Sequence, residues 1–238
     1  MSGPVPPPLV LAVDTATPQV GVALAGPDGP LAALQVVEGR RHGEVLAPAV
    51  EEVCRLAGVT LRDVGLFAVD VGPGLFTGLR VGLATVAALA HGLGRPALGV
   101  TSTELLTAAH PAAADTAAGR PVAAVVDIRR GDVAWSLTLP GRPPAAPVVA
   151  TPDELAAALR DGPAGVLAVG DGARRYAAVL HAAGTEVAGA AWAHPSAVVL
   201  ADLAVGRAGQ AGDAGALAPV YLRDADVRIG WQQAPARG

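Results

Sequence analysis

The chain contains no lysine: all 17 basic residues are arginine. That absence excludes Schiff-base chemistry, a lysine general base and any phosphate loop that depends on a lysine. Cysteine is nearly as scarce. Cys54 stands alone, so an internal disulfide and a cysteine-rich metal site are both excluded, and its apolar, helix-like surroundings read as core packing. Aromatic residues make up 3% of 238 positions, which leaves Ala, Val and Leu to build the interior. No run of about 18 consecutive apolar residues appears, so no spanning helix is expected. The opening MSGPVPPP lacks the basic flank and apolar stretch of a signal peptide. These absences predict a soluble, cytoplasmic protein with no membrane contact. The formal charge of −4 and the lack of a basic stripe argue against a strong independent nucleic-acid binder; Arg129-Arg130 and Arg174-Arg175 are pairs only. Among His42, His91, His110, His181 and His194 no two stand four apart, and no Gly-x-Ser-x-Gly elbow occurs. A paired-histidine zinc site and a serine hydrolase are therefore not indicated, and no catalytic residue is assigned.

What is present is periodic. Residues 9–24, LVLAVDTATPQVGVAL, read as strand, tight turn and strand, and 31–37 supply a third strand. Residues 42–57 change to a helical period, with Leu46, Val50 and Val53 on one face and Glu44, Glu51 and Arg55 opposite; Pro48 predicts a start or kink nearby. A short apolar strand at 66–71 runs into Gly72-Pro73-Gly74. A helix over 77–93 follows, with Thr77 as its expected N-cap. The segment 122–137 aligns without a gap under 9–24 at an offset of 127 − 14 = 113, placing Asp127 beneath Asp14. Residues 167–175 likewise echo 67–75. A repeat this long predicts two related α/β lobes rather than a solenoid. The expected division is a Pro-rich N-terminus at 1–8, a first lobe at 9–110, a linker at 111–121, a second lobe at 122–223 and a loosely held tail at 224–238. Paired lobes that each open with a strand–Asp–turn–strand unit match the actin-like ATPase fold of actins, sugar kinases and heat-shock ATPases, with duplicated RNase H-like lobes.

In that arrangement Asp14, Thr15, Gly72, Gly74 and Asp127 stand where a nucleotide or phosphate turn would be. Asp14 is read either as an inherited phosphate-site position or as the partner of its own turn. The Gly72–Gly74 loop, which delivers the chain to a helix N-terminus, is either an anion contact or a bare corner. A kinase or ATPase reading stays open on these residues alone.

The helix GLRVGLATVAALAHGL carries only Arg80 and His91 as charged or titratable groups. A helix apolar nearly all round needs cover on nearly all sides, and one sheet covers one side. Gly78 and Gly82, one turn apart, suggest close approach of a second helix. The expected partner surface is His42, Leu46, Val50 and Val53 on the first helix with Phe76, Gly78, Leu79, Gly82, Leu83, Val86 and Leu89 on the second. On that expectation a bulky residue at Gly82 blocks association and spares the fold.

The segments LAVDTATPQVGVAL (11–24), HGEVLAPAVEEV (42–53), VGPGLFTGLRVGLATVAALAHGL (71–93), GVTSTELL (99–106), DIRRGDVAW (127–135) and PVYLR (219–223) resemble the TsaB (YeaZ) family, in the family's order. Position 75 is Leu where the family usually has Ser, and Gly170-Asp171-Gly172 replaces a Gly-Asn-Gly-like turn. The resemblance implies a non-catalytic, dimerising subunit of the machinery that forms threonylcarbamoyladenosine beside the anticodon of tRNA. It implies pairing with a metal-holding TsaD-like catalytic subunit, association with a TsaE-like ATPase, a homodimer when the partner is missing, and tRNA contact only through the complex. No cofactor or metal is implied for this chain. The family's old peptidase label suggests a metallopeptidase, which the missing paired-histidine motif disfavours.

Overall fold

A computed structural model describes residues 8–37, 41–110 and 119–222. Most of the expected N-terminal segment and linker, and the whole expected tail, lie outside the described residues. The strands form two five-stranded sheets. In the first, β1 (Val10–Asp14), β2 (Gln19–Gly26) and β3 (Gly29–Val37) make an antiparallel meander. Strands β4 (Leu66–Asp70) and β5 (Ala97–Val100) extend it in parallel, giving the order β3-β2-β1-β4-β5. The second uses β6 (Val122–Asp127), β7 (Val133–Thr138), β8 (Val148–Ala150), β9 (Leu167–Val169) and β10 (Glu186–Val187) in the order β10-β9-β6-β7-β8, with the same pattern of directions. The topology is duplicated, and Asp14 and Asp127 close equivalent strands, as the repeat predicts.

Strand β1 has no exposed residue because both faces of its sheet are covered. Leu11 and Val13 pack under α1 (His42–Ala57) and α2 (Phe76–Leu93), while Val10 and Ala12 pack under α7 (Ala197–Gly206). Such two-sided burial is why the strand reads as a continuous apolar run rather than an alternation. Helix α1 runs through Pro48, which lies on its exposed side. Helix α2 begins one residue before Thr77. Its N-cap is Leu75, with no side-chain hydrogen bond, so the expected threonine cap is not the one used.

Packing does not follow chain order. Helix α3 (Ser102–Ala109), from the first half, sends Leu106 into the core of the second sheet with Val122, Ala124 and Val126. Helix α7, which the linear division assigned to the second lobe, lies on the first sheet through Ala197, Leu200, Ala201 and Ala204. Gly21 makes room for it, since a Cβ there would stand 3.2 Å from Ala197 Cβ, and Gln19 Nε2 donates to Pro195 O at 2.9 Å. The two exchanged helices touch, joined by an Arg207–Glu104 ion pair at 2.6 Å. The outer face of the second sheet is covered by α4 (Pro152–Arg160), α5 (Asp171–Arg175) and α6 (Ala177–Ala182).

Candidate functional site

The ends of β1 and β4 bring two aspartates into buried space. Asp14 Oδ1 accepts the Ala16 N–H at 2.9 Å, and Asp70 Oδ1 accepts the Gly72 N–H and the Ser102 hydroxyl, each at 2.7 Å. Both residues have zero exposure, and the second oxygen of each lacks a donor among the described residues. Burial and then the negative charge of Asp70 hold the Asp14 carboxyl well above the usual range. Burial likewise pushes Asp70 up to about 6, against the opposing pull of Ser102 and Gly72. The two carboxyls are near enough that each shifts the other's proton affinity. Asp171, at the start of α5, is raised by burial to about 6 and adds its charge to the field at Asp14.

Asp14, Thr15, Gly72 and Gly74 lie near one another in the structure, and the backbone there is already engaged. Thr15 Oγ1 donates to Gly78 O at 2.8 Å, His42 Nε2 lies 2.7 Å from Thr17 O, and Leu75 N donates to Ala16 O at 2.7 Å. A Cβ at Gly74 would overlap the Ala16 carbonyl oxygen, and one at Gly78 would overlap that of Thr15. The loop is therefore keyed into the turn it was expected to face across a ligand. Asp127 occupies the equivalent position on the second lobe, where Arg129 Nη1 and Arg175 Nη1 lie 3.1 and 3.2 Å from its Oδ2. Among the described residues no group of three or more His, Cys, Asp or Glu is placed to hold a metal.

The expected partner surface divides. Helix α2 buries six of its 18 residues (Gly78, Leu79, Gly82, Leu83, Val86 and Ala90) against its own lobe, and α1 does the same with His42, Leu46, Val50 and Val53. The glycine ridge thus serves an intramolecular approach: a Cβ at Gly82 would overlap Thr15 Oγ1. Substituting Gly82 tests the fold rather than association, which corrects the sequence expectation. Of the anticipated contacts, Phe76 is 44% exposed and Leu89 half-buried. The open side of α2 carries Thr77, Arg80, Ala84, Ala88 and His91, positions three and four apart on one ridge.

At the N-terminal end of that ridge sits a cluster the sequence reading missed. The Arg80 guanidinium lies 3.8 Å from the centroid of the Phe76 ring, its Nε donates to Tyr221 Oη at 3.1 Å, and the Phe76 and Tyr221 rings are 5.3 Å apart. Val220 N donates to Val71 O at 2.7 Å and so returns the C-terminal segment to this place. The i, i+4 spacing of Phe76 and Arg80 was visible in the sequence; the contribution of Tyr221 from 141 residues away was not.

Comparison with known proteins gives three kinds of match. The family model described as TsaD, tRNA N6-adenosine threonylcarbamoyltransferase, matches residues 36–141. The tRNA threonylcarbamoyladenosine biosynthesis protein TsaB of Escherichia coli K12 is 37% identical over 127 residues, 53% of each chain. The matched region spans about half the length of that curated relative. A crystal structure from Pseudomonas aeruginosa, described as similar to peptidase YeaZ, superposes with a TM-score of 0.73 at 30% identity, over 91% of this chain and 100% of that one. The Clostridium difficile activator of 2-hydroxyisocaproyl-CoA dehydratase superposes with a TM-score of 0.51 at 10% identity, over 85% and 96%, a likeness of fold alone. With a duplicated sheet topology of the actin-like ATPase kind and the 30% identical Pseudomonas aeruginosa relative matched over its whole length, the chain belongs to the TsaB (YeaZ) family.

Proposed function

We propose that this chain is the non-catalytic subunit that supports formation of N6-threonylcarbamoyladenosine next to the anticodon, by pairing with a TsaD-like catalytic subunit. The observation that carries the reading is the open side of α2. Twelve of its 18 residues are not buried (18 − 6), and apart from Thr77, Arg80, Thr85 and His91 they are apolar or glycine. Small Ala84 and Ala88 let another helix approach closely, and the Phe76–Arg80–Tyr221 cluster offers a rigid aromatic and cationic anchor at one end. The match to the TsaD model covers the stretch that holds α1 and α2. A shared surface of this kind favours pseudo-symmetric pairing of related subunits, and self-pairing when the other is missing. A TsaE-like ATPase joins the assembly, which works in the cytoplasm on tRNA and takes its reacting groups from the catalytic subunit. The engaged turn at Asp14 and Gly74 supports the assignment of no catalytic role to this chain.

Co-expression with the TsaD-like subunit followed by size-exclusion chromatography tests the reading. The wild-type chain should co-elute, Ala84→Glu or Arg80→Glu should lower affinity at least 10-fold, and thermal midpoints should stay within a few degrees. Unchanged affinity in both variants would sink it.

A further inference from the structure

One member of each arginine pair, Arg129 and Arg175, 175 − 129 = 46 positions apart in the sequence, meets the other in the fold. The link is Asp127. Its main-chain N–H donates to Asp171 Oδ1 at 2.9 Å, which ties the start of α5 to the end of β6. Its carboxylate takes Arg129 from the β6–β7 hairpin and Arg175 from the end of α5. Arg130 and Arg174, the neighbours of these two, are exposed beside them. The Arg175 guanidinium also lies 5.7 Å from the centroid of the Tyr176 ring, which limits its freedom.

The hairpin tip holds these charges at a conformational cost. Arg129 and Arg130 both have left-handed backbones, with φ of 68° and 57°, followed by Gly131 at 88°. Non-glycine residues pay about 1 kcal/mol each for that conformation, and Asn or Gly is the ordinary occupant. Both side chains are exposed, so core packing does not require arginine at either position. Arginine stands at two positions whose backbone asparagine adopts more easily; Arg129 serves the ion pair with Asp127, and core packing asks for no charge at Arg130.

We propose that Arg129, Arg130, Arg174 and Arg175 form a face for the phosphodiester backbone of tRNA, so that this subunit contributes to RNA affinity within the complex. The inference rests on the subunit reading above. Four guanidiniums stand among Asp127, Asp132 and Asp171, an excess of 4 − 3 = 1 when all are ionised. So small an excess, on a chain of net charge −4, suits a contributory contact and not independent capture. Asp127 holds Arg129 and Arg175 in place, and all four arginines are exposed to solvent, where phosphate oxygens are taken without reading bases.

The test is a fluorescence titration of the complex with an unmodified tRNA transcript at several salt concentrations. It uses wild type, the double variant Arg130→Asn with Arg174→Gln, and a control with Arg142→Gln and Arg160→Gln, two exposed arginines elsewhere. The first variant should bind RNA about 10-fold more weakly, with a log–log salt slope shallower by about two, since each phosphate contact contributes close to one. It should pair with the TsaD-like subunit as wild type does, and Asn at position 130 should keep or raise the thermal midpoint. The control should stay near wild type. Equal affinity and slope in the first variant overturn the proposal. So does loss of pairing, which would make the face a protein contact. If wild type forms no complex, the subunit reading fails, and the same titration on the isolated chain at low salt, where weak phosphate contacts are strengthened, decides the arginine face: weaker RNA binding by the variant than by wild type upholds it, and no difference between them overturns it.

Discussion

Two single residues show how local chemistry departs from sequence expectation. Leu75 occupies the N-cap of α2, where the family pattern has serine and where no side chain accepts a hydrogen bond from the first turn. Leu75→Ser should restore such a bond and stabilise the protein by about 1 kcal/mol, read as a rise in urea midpoint at unchanged m. Asp70 was passed over because it ends an apolar strand, and only the fold sets its carboxyl beside that of Asp14. An unfolded aspartate titrates near 4, whereas folded Asp70 titrates at about 6. The folded state therefore holds the extra proton between these values, and the contribution of Asp70 to stability should fall as pH rises from about 4 through about 6, with Asp171 adding a like loss over the same window. Asp70→Asn should flatten that part of the profile. It should match or exceed wild-type stability at pH 8, by up to about 3 kcal/mol for a shift near two units. An identical pH profile in the variant would refute the assignment.

At the scale of elements, the sequence predicted helices α1 and α2 and the three-strand opening closely, because periods of 3.6 and 2 reflect burial directly. It misjudged which side of α2 is which. A ridge of glycines has the same appearance whether it approaches a foreign helix or its own β1–β2 turn, and Thr15 decides the matter from outside the helix. Gly82→Leu should accordingly destabilise the isolated chain by about 1–3 kcal/mol, by overpacking against the Thr15 and Val13 side chains. Ala88→Leu, on the open side, should leave the unfolding free energy within about 0.5 kcal/mol. Paired denaturant melts compare them; equal midpoints would restore the glycine ridge to the partner surface.

For the whole molecule, the repeat revealed two sheets but not the exchange of helices between them. An offset of 113 positions aligns strands with strands; it carries no information on which sheet an apolar helix such as AVVLADLAVG chooses, since both sheets present alanine and valine. Because α7 covers Val10, Ala12 and Ala23, Leu200→Ala should cost about 3 kcal/mol by opening a cavity over the first sheet. The loss should register in Trp135 and Trp192 fluorescence, on the other half of the chain, at the same midpoint as in circular dichroism. Two separated transitions would contradict the packing. The crossed helices also fix geometry. Neither half closes its core with its own residues alone, so the molecule is a brace of one piece: on the proposed reading, the α2 ridge and the arginine corner would be kept at a constant spacing, and a tRNA held at one would be presented to the subunit docked at the other.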